Sequence, residues 1–104
     1  MLAWSAPARG LVNLCRAMSP EPGARTRFRG KTLKVFRAEV VPAAEVKGTA
    51  SEPGTVVAVA KDGLVVATGT DGFRPLELAP AGRKRMRAPD FVNGFRPRVG
   101  ERFG

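Results

Sequence analysis

Apolar residues near the start of the chain recur at three- and four-residue steps. Leu11, Leu14, Cys15 and Met18 fall on one stripe of a helix. Ser5 can cap that helix and Pro7 suits its first turn, while Pro20, Pro22 and Gly23 end it. The period then changes from helical to alternating. Arg25, Arg27, Arg29 and Lys31 alternate with Thr26, Phe28 and Gly30. Alternate residues of an extended chain share a face, so the pattern predicts four cations along one side of a strand or ribbon, with Phe28 turned the other way. Thr32–Val41 is rich in β-branched and aromatic residues and reads as a strand; 42–54 reads as a loop. Thr55–Ala60 and Leu64–Thr68 are apolar runs joined by Lys61-Asp62-Gly63, and Asp-Gly between such runs signals a hairpin. A second turn at Asp71-Gly72 leads to a strand at Phe73–Leu78. An Ala-Pro-Ala-Gly loop at 79–82 follows, then a basic run, then Asp90–Gly94, which reads as a short helical turn closed by its glycine.

Five or six short strands after one helix predict a mainly-β fold: a small open β-barrel, bent at its glycines, with one N-terminal helix. An SH3-like barrel is the alternative on the same counts. At 104 residues the chain is expected to form a single domain, 1–104, because a second core would lack material. Twelve Gly and nine Pro favour short strands over long helices.

Charge sharpens the picture. Eighteen Lys and Arg against nine Asp and Glu give +9. A small globule carrying that charge repels itself, and an anionic partner offsets the repulsion. Nucleic acid is the first such partner; a membrane surface ranks last, because no amphipathic basic helix is visible. The competing interpretation is a structural or protein-interaction module whose charge merely keeps it dissolved. Charge clustered on one face supports the first class, and charge spread evenly supports the second. The candidate nucleic-acid-binding residues are Arg25, Arg27, Arg29 and Lys31 in the first basic stretch, with Arg83, Lys84, Arg85 and Arg87 in the second. With six Phe, one Trp and no Tyr, the core takes most rings. The expected mode is therefore charge contact to the backbone of a folded nucleic acid rather than base stacking.

Catalytic chemistry is sparse. There is no His, and one Cys offers neither an internal disulfide nor a metal cluster. Cys15 lies on the apolar helix stripe and reads as a small buried hydrophobe in a reducing, cytoplasmic compartment. No glycine-rich loop opens a helix to cradle a phosphate, so no cofactor site is expected. Asp62 and Asp71 fit turns, and Glu77, between Leu76 and Leu78, reads as a strand-surface residue paired with a nearby Arg. No transmembrane run or secretory leader is read in the sequence.

Several stretches together resemble the C-terminal domain of methionyl-tRNA formyltransferase. Pro80-Ala81-Gly82-Arg83-Lys84-Arg85-Met86 stands where that family has P-A-G-K-K-x-M, and Asp90-Phe91-Val92-Asn93-Gly94 where it has D-F/L-x-N/x-G. Trp4-Ser5, Arg16–Ala24, Lys31–Val35, Pro53–Val56 and Gly63–Gly69 match further motifs in order, over about Leu2 to Gly104. Glu21 and Ala79 depart from the pattern, replacing a common aromatic and a common Gln. The resemblance implies an open barrel similar to the OB-fold and a non-catalytic role, holding initiator Met-tRNA for formylation in translation initiation. It also implies a formyltransferase catalytic domain as a further partner, because the family keeps its catalytic residues and its site for 10-formyltetrahydrofolate in a separate N-terminal domain. The 104 residues are expected to be either a fragment of such an enzyme or a stand-alone relative, without formyl transfer of their own.

Overall fold

The computed structural model describes residues 1–19, 22–45 and 52–104. Helix α1 spans Ala8–Met18, strands β1 to β5 span Ala24–Phe28, Lys31–Val41, Val56–Ala60, Gly63–Ala67 and Gly72–Pro80, β6 is Met86–Arg87, and α2 is Ala88–Phe95. The strands form one antiparallel sheet in the order β1-β2-β5-β4-β3, with β6 on β5. The C-terminal residues tie the two sheet edges together. Phe103 bridges Phe28 at the end of β1, and Arg102 bridges Thr55 beside β3. The backbone N–H groups of Phe103 and Gly104 donate to Gly54 and Arg27 oxygens at 2.7 Å each. The mainly-β open barrel with an N-terminal helix is therefore present.

The barrel interior explains the strand patterns. Thr26 and Phe28 point inward from β1 beside Leu33 and Val35 of β2, Leu78 and Phe73 of β5 and Val66 of β4. Trp4 closes one end. Its indole N–H donates to the buried Thr26 hydroxyl at 3.0 Å, and its ring meets Phe73 edge-on at 5.1 Å. The hydrogen bond lets a buried hydroxyl and an indole sit in an apolar core without the cost of unpaired polar groups.

Four expectations need correction. In α1 the buried residues are Ala8, Leu11, Val12 and Cys15, while Leu14 is 37% exposed. Fully buried Ala8 lets the helix lie close to the sheet, and the stripe follows from that contact, with Val12 replacing Leu14. Ser5 does not cap the helix. Pro7 occupies the cap position without a side-chain bond, and the Ala8 N–H donates to the Thr70 oxygen at 3.1 Å. Ala79 and Pro80 belong to β5 rather than to a loop. They pair with Lys34 and Leu33, and as Pro80 ends the strand no further ladder bond is asked of its ring nitrogen. The 90–94 turn is an eight-residue helix that runs through Gly94 and ends at left-handed Arg96 (φ 48°). Phe91 and Phe95 are four residues apart, and their rings stack at 5.0 Å and 20°. Aligning them demands a continuous helix, which offsets the roughly 1 kcal/mol cost of an interior glycine. The loop read over 42–54 is described only at its ends, and its centre, like Pro20 and Glu21, lies outside the described residues.

Candidate nucleic-acid interface

In β1 the alternation holds. Arg25 and Arg27 are exposed, and the residues between and beyond them are buried. The four-cation strand does not continue past Phe28. Arg29 and Gly30 form a two-residue hairpin turn, both with positive φ (53° and 79°), because Phe28 pairs directly with Lys31. Glycine adopts that conformation freely, whereas arginine needs help. Arg29 receives it from two directions. Its guanidinium lies 4.6 Å from the Phe28 ring centre and donates to both Glu101 carboxylate oxygens at 2.9 and 3.1 Å. Lys31 opens β2 on the far side of the turn.

The second basic stretch arrives beside the first through long-range pairing. Leu33 of β2 pairs with Pro80 of β5, so the Ala81-Gly82 turn and the loop after it emerge next to Lys31 and Thr32. Two adjoining hollows result. One, about 230 Å³, is ringed by Arg29, Lys31 and Arg83 over Phe28, Pro80 and Phe95. The other, about 500 Å³, brings Lys34, Arg83 and Arg85 together over Phe36. Thr32, Pro80, Ala81 and Arg83 border both. Arg25, Arg27, Lys84 and Arg87 are exposed but border neither hollow. Arg25 lies across from Lys34 in the ladder and extends the positive surface along the outer face of β1 and β2. Lys34 is a cation that the residue patterns did not single out as a binding residue. Its place two residues before Phe36 carried no signal until the bulge was known. That bulge, between Val35 and Arg37, leaves Phe36 outside the main core and under the Arg85 guanidinium at 4.5 Å.

Not every cation is equally available to an anion. Glu77 accepts from Arg37 at 3.0 Å and from Arg85 at 2.7 Å, the strand-surface pairing its neighbours suggested. Burial pushes the Glu77 carboxyl up, but the two arginine hydrogen bonds outweigh it and hold the group below its ordinary range. The Arg29 hydrogen bond lowers Glu101 against a smaller opposing effect of burial, and the Arg98 backbone N–H adds to the lowering. Among the described residues, Arg25, Arg27, Lys31, Arg83, Lys84 and Arg87 have no carboxylate within 4.0 Å. These six face solvent with their charge unmatched.

The lowered carboxyls make stability depend on acid pH. A carboxyl lowered in the folded state stabilises above its unfolded pKa of about 4.3, and the contribution is lost as pH falls through the lower folded value. Thermal melts from pH 7 down to about pH 2 are therefore expected to show stability falling below about pH 4. Glu101→Gln, which cannot ionise, should reduce that fall; an identical fall would remove Glu101 from the account.

Among the described residues no three His, Cys, Asp or Glu side chains group in a way that could hold a metal ion, and no helix is long and apolar enough to cross a membrane. Cys15 is buried in the main core, and desolvation pushes its thiol up to about 12. It is a packing residue, far from thiolate reactivity at neutral pH.

The family model for the formyl transferase C-terminal domain matches residues 1–96. The chain belongs to that family. Similar relatives include the methionyl-tRNA formyltransferases of Acidithiobacillus ferrooxidans, 43% identical over 104 residues, and of Bacillus subtilis, 42% identical over 105 residues. Each alignment covers the whole of this chain but 32% of the relative, so the chain spans about a third of the length of the curated proteins it matches. A crystal structure of a HypX variant from Aquifex aeolicus superposes with a TM-score of 0.69 over 96% of this chain and 17% of that one. At 21% identity, that likeness speaks for the fold alone. Within the formyl transferase C-terminal domain, the Pro80–Met86 and Lys31–Val35 motifs are the segments that meet at the Leu33–Pro80 pair.

Proposed function

We propose that this formyl transferase C-terminal domain is the tRNA-binding part of a cytoplasmic methionyl-tRNA formyltransferase, holding initiator Met-tRNA so that a separate catalytic domain can formylate it. The observation that carries the reading is the meeting of two basic stretches, distant in sequence, at one end of the β2–β5 ladder. A domain using charge only for solubility has no reason to gather cations in one place, because like charges brought together repel. That the relatives are named methionyl-tRNA formyltransferases favours a methionyl-tRNA as the RNA held. Arg25, Arg27, Lys31, Lys34, Arg83, Lys84 and Arg87 supply contacts to the RNA backbone. Arg29 and Arg85, already paired with carboxylates, shape the surface more than they neutralise phosphate.

Binding by charge has a measurable signature. If about four to six phosphates are engaged, the logarithm of affinity against that of salt concentration should fall with a slope of roughly −3 to −5. A fluorescence titration with initiator tRNA between low and physiological salt measures it. An affinity independent of salt would reject the electrostatic mechanism and favour a protein-interaction module.

A further inference from the structure

Six of the seven aromatic side chains, all among the described residues, are buried; Phe95 is half-exposed. One side of its ring stacks on Phe91, and the Arg83 guanidinium lies 5.4 Å from its centre. Beside it is the 230 Å³ hollow floored by Phe28, Leu33 and Pro80. Of the three cations on that hollow, Arg29 is held by Glu101, while Lys31 and Arg83 have no carboxylate within 4.0 Å among the described residues. The hollow is smaller than the roughly 300–1,000 Å³ of a site for a free small molecule. It suits one flat, apolar group attached to something larger and carrying negative charge close by. The positive surface continues past Arg83 to Lys34 in the adjoining hollow, which fits a chain of anions better than the single carboxylate of a peptide.

We propose that this hollow takes one unpaired nucleotide of a bound RNA, its base stacked on the Arg83 guanidinium that lies over Phe95 and packed against Pro80, with its phosphate at Lys31. The proposal rests on the domain being an RNA holder and adds a contact that charge alone does not make. Aromatic and guanidinium planes both stack on bases regardless of sequence, so the subsite selects an unpaired nucleotide rather than a particular base.

The test uses the intact chain with two probes: a short single-stranded RNA carrying 2-aminopurine, whose fluorescence is quenched on stacking, and an RNA duplex of the same charge. The wild-type domain is expected to bind both and to quench the first. Phe95→Leu keeps an apolar side chain but removes the ring. It should abolish the quenching and weaken single-strand binding about five- to tenfold, with the salt slope and duplex binding unchanged. Arg83→Lys keeps the charge and removes the planar guanidinium, and because Arg83 is exposed it tests the subsite even if Phe95→Leu folds poorly. It should lose most of the quenching. Duplex binding with no quenching, or with quenching equal in wild type and Arg83→Lys, would overturn the nucleotide subsite and leave the RNA-holding role standing. Failure to bind either RNA would overturn that role, and the subsite with it. Capture of an acidic, aromatic-bearing peptide in preference to the single-stranded probe would also reject the nucleotide.

Discussion

The domain with Arg27, Lys31, Arg83 and Lys84 all changed to alanine is expected to fold as before and to lose most of its affinity for initiator tRNA. All four side chains are exposed and none makes an ion pair among the described residues, so their removal costs little folding energy. The one described contact at risk is the Arg83–Phe95 approach, worth about 0.5–1 kcal/mol at an exposed site. Removing a single phosphate interaction should flatten the salt slope by about 0.9, so the quadruple change should flatten it by about 3.6 and leave at most a residual slope of about −1.5 from Arg25, Lys34 and Arg87. At low salt, affinity should fall by a factor of about 100 or more, following the same dependence. Circular dichroism melts and tRNA titrations on the same preparations decide the matter. A melting temperature lowered by tens of degrees with unchanged tRNA affinity would make these residues structural and end the case for this surface.

Gly69→Ala is expected to cost the fold more than any other alanine substitution at a described glycine. A methyl group there would sit 2.0 Å from the Ser5 carbonyl oxygen and 3.2 Å from that of Ala6. Both obstacles are backbone, so no side-chain rotation relieves them. The Gly69 N–H donates to the Ala6 oxygen at 3.0 Å, and Thr70 accepts from the first residue of α1, so separating the segments breaks the contact that starts the helix. A loss of roughly 4 kcal/mol is expected, the level reached when packing is forced apart, equivalent to a fall of roughly 20 °C in melting temperature. Two companion substitutions calibrate it. Gly82→Ala meets nothing within 4 Å but must adopt φ +76°, costing about 1–2 kcal/mol. Gly10→Ala, in α1 with open space around it, should stabilise by about 1 kcal/mol. If Gly69→Ala melts no lower than Gly82→Ala, α1 does not dock on the 69–70 loop as described.

Much of this arrangement was legible in the order of residues because it depends on local geometry. Two-residue periodicity placed Arg25 and Arg27 outside and Phe28 inside, since neighbouring strand side chains point to opposite faces wherever the strand lies. The Asp62-Gly63 and Asp71-Gly72 hairpin signals marked real reversals, because turn residues act on their own backbone. The same local logic failed where packing decides. Alternation could not reveal that Arg29 leaves the strand, because the turn is set by Phe28 pairing with Lys31 and held by Glu101 from the far end of the chain. Helical spacing could not choose between Val12 and Leu14, because the choice depends on which side of α1 rests on the sheet. Phe95 could not be told from the core phenylalanines, since its exposure follows from α2 continuing through Gly94. The cationic surface itself divides the same way. Sequence supplied the two basic stretches and, by resemblance, the family. Only the Leu33–Pro80 pairing joined them, because contact between distant segments is decided by the register of the β2–β5 ladder and by no property of either stretch alone.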